Sequence, residues 1–265
     1  MQLLPSASLK SLVKHYLFLE AKGNYLHHLR LFPDGNPGIV LCEEGKLFIN
    51  NHPTYQHDLP ASFLYGKVEK FEDLICHGSL KLTIIVLQPY VTYRFLDNSL
   101  DKTILDLTDI LGNTASDLLS TMKATAGIYE KIEVLEPFLM KSFFDILYAI
   151  PPVVPATISH VIKKRGLLSV DEMVKFSGYE KRQLERIFNH TTGMTPKRFA
   201  NLIKLHFFLS DIRKTSTKTK LSQVAYGAGY YDQSHLIREF KKITGLTPSS
   251  YFKTRNKLAV NFLQL

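Results

Sequence analysis

The chain has 265 residues, 45% of them hydrophobic, which is enough for one large domain or two of ordinary size, and it carries a formal net charge of +9. It opens without a basic-then-apolar signal segment, and no uncharged apolar run approaches the roughly eighteen residues that span a bilayer, so a cytoplasmic location away from membranes is expected. Cys42 and Cys76 are the only cysteines; lacking C-x-x-C spacing, they suggest neither a disulfide framework nor a cysteine zinc site and read as small buried hydrophobes.

Residues 27–50, HHLRLFPDGNPGIVLCEEGKLFIN, alternate short apolar runs with Pro, Gly, Asp and Asn turns, and residues 79–90, SLKLTIIVLQPY, are rich in β-branched side chains. Both stretches predict strands. GNPG at 35–38 lacks the lysine and helix of a phosphate-binding loop and reads as a turn. His27, His28, His52, His57 and His77 are not read as a metal set, and no cofactor is expected. From 115 to 148 the period changes: Leu118, Met122, Ile132, Leu135, Leu139 and Ile146 recur at three- to four-residue multiples and predict a helix face, with Pro137 at a start or kink. PPVVP at 151–155 sets three prolines in five residues and predicts a border. Residues 1–150 then form a first domain, 151–156 a proline-rich linker and 157–265 a second domain.

Charge divides at the same place. From residue 156 onward there are 20 basic against 7 acidic side chains, and before it 13 against 17. A basic domain beside a mildly acidic one predicts a polyanion-binding module attached to something else, because cationic side chains release counterions when they neutralise phosphates.

The basic part is helical and repeats itself. GYEKRQLERIFNH at 178–190 returns as GYYDQSHLIREFKK at 229–242, and each copy runs on into a G-[ML]-T-P segment at Gly193 or Gly245. Leu184/Leu236, Arg186/Arg238 and Phe188/Phe240 recur at one offset, whereas Met173/Val224, Val174/Ala225 and Gly178/Gly229 recur at an offset one shorter. The second turn therefore holds one extra residue, around Tyr230 and Tyr231. Each copy predicts helix, tight turn, helix. Ser169 with Glu172 makes a capping box, Gly178 supplies the left-handed turn, and Leu184 with Phe188, or Leu236 with Phe240, face inward. Asp232 caps the last of these helices, and Thr195-Pro196 and Thr247-Pro248 each predict N-cap and first helical position. The helix from 196 to about 212 links the copies rigidly.

On these residues the region from about 161 to 252 resembles the DNA-binding domain of the AraC/XylS family of bacterial transcription regulators, most specifically through G-Y-x-D-Q-S-H-L-x-R-x-F-K-K-x-x-G-x-[TS]-P. FPDG (32–35), LYG (64–66), LTIIVLQPY (82–90) and LTDILG (107–112), in that order, are similar to a sensory domain found ahead of it. The resemblance implies an α+β chain: a strand-rich N-terminal domain followed by helices, then an all-α domain with two helix-turn-helix units joined by a long helix. It implies a regulator associated with the nucleoid, not an enzyme, whose second helix in each unit lies in a major groove. Base-reading positions carried over are Arg182, Gln183, Glu185 and Arg186 in the first unit and Gln233, Ser234, Ile237 and Arg238 in the second. For Arg186 and Arg238 phosphate contact or a structural role stays open. Lys181, Lys197, Lys241 and Lys242 are the implied phosphate contacts. Partners implied are double-stranded promoter DNA, a small-molecule effector, a second copy of the chain and RNA polymerase.

Three positions depart from the family pattern. Glu180 stands where a Ser, Thr or Asp cap is usual, Phe208 where a small residue is usual and Lys204 where arginine is common. Two other function classes fit the sequence less well. An enzyme fused to a DNA-binding domain needs a reactive cysteine in a recognisable loop, and a helical adaptor needs more than two copies to build a solenoid.

Overall fold

The computed structural model describes residues 1–52, 55–66, 70–91, 104–214, 221–230, 232–254 and 262–264. Among these residues ten strands precede the first long helix: β1 (Gln2–Leu3), β2 (Val13–Ala21), β3 (Leu26–Leu31), β4 (Gly38–Glu44), β5 (Leu47–His52), β6 (Tyr55–Asp58), β7 (Ser62–Tyr65), β8 (Glu72–His77), β9 (Leu80–Leu87) and β10 (Ile104–Asp106). One sheet has the order β1-β2-β9-β4-β7-β10; in the other, β3, β8, β5 and β6 are successive neighbours. Strand β9 lies between β2 and β4, antiparallel to both, with Ile85 opposite Tyr16 and Ile39. All six residues from Leu82 to Leu87 are buried, on both faces of the sheet. A strand covered on both sides has no solvent face to mark with polar residues, hence the unbroken apolar run.

Three helices follow: α1 (Leu107–Leu111), α2 (Asn113–Ala124) and α3 (Ile128–Ala149). The Asp106 carboxylate accepts from the Thr108 N–H at 2.8 Å and starts α1. Leu118, Met122, Leu135 and Leu139 are buried, as their spacing predicts, and Ile132 is half-buried. The side chain of Ile146 lies outside the described residues. Pro137 stands inside α3 on an exposed position, where it withholds one N–H from the helix ladder.

Charged groups also hold α3 to the first sheet. The Lys131 ammonium pairs with Glu43 Oε2, and the side chains of Lys131 and Glu43 are 1% and 3% exposed. Glu43 Oε1 accepts from the Thr83 hydroxyl at 2.6 Å, and half-exposed Lys81 approaches the other oxygen at 3.8 Å. Both cysteines are buried free thiols. Burial, reinforced by neighbouring Cys76, pushes the Cys42 thiol up to about 11 and keeps it protonated.

The remaining helices are α4 (Val153–Lys163), α5 (Val170–Ser177), α6 (Lys181–Thr192), α7 (Pro196–Lys214), α8 (Leu221–Gly227), α9 (Gln233–Thr244) and α10 (Pro248–Lys253), followed by a short strand, β11 (Phe262–Gln264). Helix α4 begins inside PPVVP. Pro155 falls in its first turn, where an absent N–H leaves no bond unmade.

The chain divides into two compact units, one of Met1–Leu29, Asn36–Lys67 and Asp73–Pro151, the other of Arg30–Gly35, Val68–Glu72 and Pro152–Leu265. The fold is α+β, strands first and helices after. In the second unit Phe32, Leu205, Phe208, Leu209, Ile212, Tyr230, Leu236, Phe240, Tyr251 and Leu263 belong to one buried cluster. Among the described residues no helix is long and apolar enough to cross a membrane.

Candidate nucleic-acid interface

Two helix-turn-helix units flank α7. In the first, the Ser169 hydroxyl accepts from the Glu172 N–H while the Glu172 carboxylate accepts from the Ser169 N–H at 2.7 Å, completing the capping box that starts α5. The Ser169 backbone N–H, then its hydroxyl, hold the Glu172 carboxyl below its ordinary value. The box is therefore fully formed above the ordinary carboxylate range and is lost as pH falls through the depressed one. Ser169→Ala should cost about 1 kcal/mol in chemical unfolding of the full chain. Gly178 ends α5 at φ 72°, the left-handed conformation its place in the repeat requires.

Helix α6 then begins at Lys181. Glu180 occupies its N-cap without a capping side-chain bond, as a carboxylate on a longer arm predicts. Leu184 and Phe188 are 1% and 0% exposed, and the Phe188 ring meets Phe199 of α7 edge-on at 5.7 Å. Arg182, Gln183 and Arg186 are exposed on the opposite side and Glu185 is half-buried. Asn189 is exposed as well. Arg182, Arg186 and Asn189 stand at i, i+4 and i+7, the spacing of one helix face; the same periodicity that places the arginines was the signal for Asn189.

The second unit repeats this design with a different start. The Asp232 carboxylate accepts from the Ser234 N–H at 2.8 Å and caps α9. Leu236 and Phe240 are fully buried, while Gln233, Ser234, His235, Ile237 and Arg238 are exposed. His235 joins the open face next to Ser234 and is a further residue the motif did not single out. The extra residue of the turn is accommodated by Tyr230, which is buried at 4% and packs edge-on against Phe208 at 5.8 Å. Tyr231, the other half of that expectation, lies outside the described residues. Lys204 of α7 sits 4.0 Å over the Tyr230 ring, and burial with the neighbouring Glu239 carboxylate keeps that phenol protonated. Phe208, where a small residue is usual, fills the core between Tyr230 and Phe240.

A shared device closes the second helix of each unit. The Thr192 hydroxyl donates to the Phe188 carbonyl at 2.7 Å, and Thr244 donates to the Phe240 carbonyl at 2.8 Å. Each then accepts from the N–H two residues on, that of Met194 or Leu246. The repeat thus extends one residue upstream, to T-G-[ML]-T-P. After it, the Thr195 and Thr247 side chains accept from the N–H groups of Arg198 and Ser250 and start α7 and α10. Lys181, Lys197, Lys241 and Lys242 are all exposed.

The spacing of the units is set by α7. Its 19 residues make a rod about 28 Å long at 1.5 Å per residue. The α4–α5 turn is pressed onto this rod. There Gly166 N donates to Val161 O and Arg165 N to Ile162 O, a Schellman closure with Arg165 rather than glycine in the left-handed place, at φ 56°. Its guanidinium pairs with Asp211 and lies 4.8 Å over the Phe207 ring, contacts from α7 that offset the backbone strain. Among the described residues no group of three or more His, Cys, Asp or Glu side chains is gathered to hold a metal ion.

Residues 173–254 match the model of a helix-turn-helix domain, and residues 1–105 that of a domain of unknown function, DUF6597. Regulatory protein SoxS of Salmonella typhimurium is 30% identical over 84 residues, 32% of this chain and 77% of the relative. Among solved structures, ToxT from Vibrio cholerae matches with a TM-score of 0.50 at 12% identity, over 89% of this chain and 97% of that one. ToxT with a bound unsaturated fatty acid gives 0.49 at 16% identity, over 89% and 94%. At such identity the likeness to ToxT shows the fold alone.

Proposed function

Since the chain belongs to the AraC/XylS family of DNA-binding transcription regulators, we propose that it reads two successive major grooves of promoter DNA, with α6 in one and α9 in the next. The observation that carries this reading is the double helix-turn-helix itself. Two reading helices bury their apolar pairs, present polar faces to solvent and are spaced by a single rod whose length suits the repeat of about 34 Å between neighbouring grooves. On the open faces arginine donates twice to guanine, Gln183 and Gln233 pair with adenine, Glu185 accepts from cytosine and Ile237 meets a thymine methyl. Lys181, Lys197, Lys241 and Lys242 neutralise phosphates and set register without reading sequence.

The first unit, strand-rich and belonging to the mildly acidic half of the chain, serves on this reading as the sensory or dimerisation element. A small effector bound there changes DNA affinity, and by linkage DNA changes effector affinity by the same factor. A second copy of the chain and RNA polymerase are the protein partners.

The test separates reading from positioning. Gln233→Ala should lower affinity at the preferred site by roughly 1–3 kcal/mol and flatten discrimination at one base position, measured by selection from randomised duplexes. Lys242→Ala should weaken all sequences alike and reduce the salt slope by about one. An unchanged base profile in Gln233→Ala together with an altered one in Lys242→Ala would reverse the faces of α9 and end the proposal.

A further inference from the structure

The second reading helix is finished by residues that the chain supplies far upstream of it. Phe32 is fully buried in the cluster that holds Leu236 and Phe240 of α9, and its ring meets Tyr251 of α10 edge-on at 6.2 Å. Tyr251 in turn meets Phe240 at 5.8 Å, so three rings connect Phe32 to the buried face of α9. Phe71 packs against the same cluster. Arg30 lays its guanidinium 4.3 Å over the Phe71 ring. This pair stands against Gly245, the left-handed residue that ends α9: a Cβ placed there would come within 2.6 Å of Phe71 and 2.7 Å of the Arg30 guanidinium. His206 of α7 lies 3.3 Å from the Pro33 carbonyl and ties the same segment to the rod. Gly35, at its end, reaches Phe199 and Leu202 of α7.

From this placement we infer that Arg30, Phe32 and Phe71 are positioning residues for the second reading helix, so that sequence discrimination by α9 depends on residues lying more than 150 positions before it. The inference rests on the groove-reading function proposed above and specifies how it is controlled. A reading helix selects bases only while its open face keeps a fixed rotation and depth, and those are set by its buried face and by its end. On α9 the Phe32 ring stack holds the buried face and the Arg30–Phe71 pair holds the end. Loosening either lets α9 rock while its exposed side chains stay intact. The first reading helix instead packs its Phe188 on Phe199 of α7, the ring beside Gly35. The two half-sites are therefore unequal: recognition by α9 can be adjusted from the first third of the chain while recognition by α6 persists.

The experiment uses the full chain with Arg30→Ala, Phe71→Ala and Phe32→Leu, the last keeping an apolar side chain in the core. Amide hydrogen exchange in the free protein is compared between the last turn of α9 with Gly245 and the last turn of α6 with Gly193, and base preference is profiled over both half-sites. Exchange at the end of α9 should quicken about tenfold or more in Arg30→Ala and Phe71→Ala, with that of α6 unchanged. Base discrimination should fall in the half-site read by α9 and be kept in the other. Equal acceleration at both helices, or none at α9, overturns the inference, as does an equal loss in both half-sites. If exchange responds as expected and even the wild-type chain shows no base preference, the brace stands and the groove-reading function falls.

Discussion

Gly166→Ala should unfold the helical unit or leave it barely stable at room temperature. Gly166 follows the Schellman closure of α4 at φ 74°, and a Cβ there would lie 2.2 Å from the Ala200 carbonyl oxygen and 2.6 Å from the Lys204 nitrogen. Both atoms are backbone of α7 and cannot rotate away as a side chain can. The left-handed conformation adds about 1–2 kcal/mol for any residue with a Cβ, and the overlap adds at least the roughly 1–3 kcal/mol of an overpacked core. Against a total stability of about 5–15 kcal/mol, that is a large share. Gly178→Ala is the matched control. Its φ is 72° and nothing lies within 4 Å of the added methyl, so only the backbone cost applies. The chain has no tryptophan, so urea unfolding is followed by circular dichroism; a Gly166→Ala midpoint equal to that of Gly178→Ala would contradict the close approach to α7.

Lys131→Met should be the most damaging single substitution in the first unit. It leaves the Glu43 carboxylate 3% exposed, with the Thr83 hydroxyl and the distant Lys81 ammonium as its remaining company in this group. Removing one partner of a buried pair costs about 3–5 kcal/mol, because the other charge is stranded away from water. Adding Glu43→Gln to Lys131→Met should recover much of the loss, since a neutral amide is far easier to bury than an unpaired carboxylate. Unfolding of the single and double variants closes a cycle; a double variant as unstable as the sum of its parts would show that the two groups do not act together.

Local signals carried most of the helical unit. Ser169 with Glu172, Asp232 and the paired T-P steps are resolved within four residues of chain, and the apolar pairs Leu184/Phe188 and Leu236/Phe240 within one helical turn, so caps, turns and buried faces were legible without knowing the fold. The open-face residues followed from the same period. PPVVP stands where the chain passes from one compact unit to the other, and its last proline, Pro155, fits the first turn of α4, where the helix asks for no donor. What was not legible is whatever depends on distant pairing. Strand order places β9 between β2 and β4, and no local pattern says so. FPDG was legible only as part of a resemblance, and nothing in its four residues shows that its phenylalanine is buried beside Tyr251. The connector was expected from its caps alone. Its burial on several sides, at Phe199, Ala200, Leu202, Leu205, Phe208 and Leu209, blurs the one-sided pattern by which an amphipathic helix is recognised.

The shared core around Phe32 also sets a timetable for the newborn chain. Phe32 leaves the ribosome early, whereas Phe240, Tyr251 and Leu263, its companions in the cluster, are made more than two hundred residues later. At about 5–20 residues per second, the delay is roughly 10–50 s. Through that interval the first strands can pair and α1 to α3 can close over them, while the ring stack of Phe32 with Tyr251 and Phe240 is still incomplete. The second helix-turn-helix is thus completed after the first. A chain interrupted near residue 240 would therefore carry Phe32 without the ring stack that joins it to Tyr251 and Phe240.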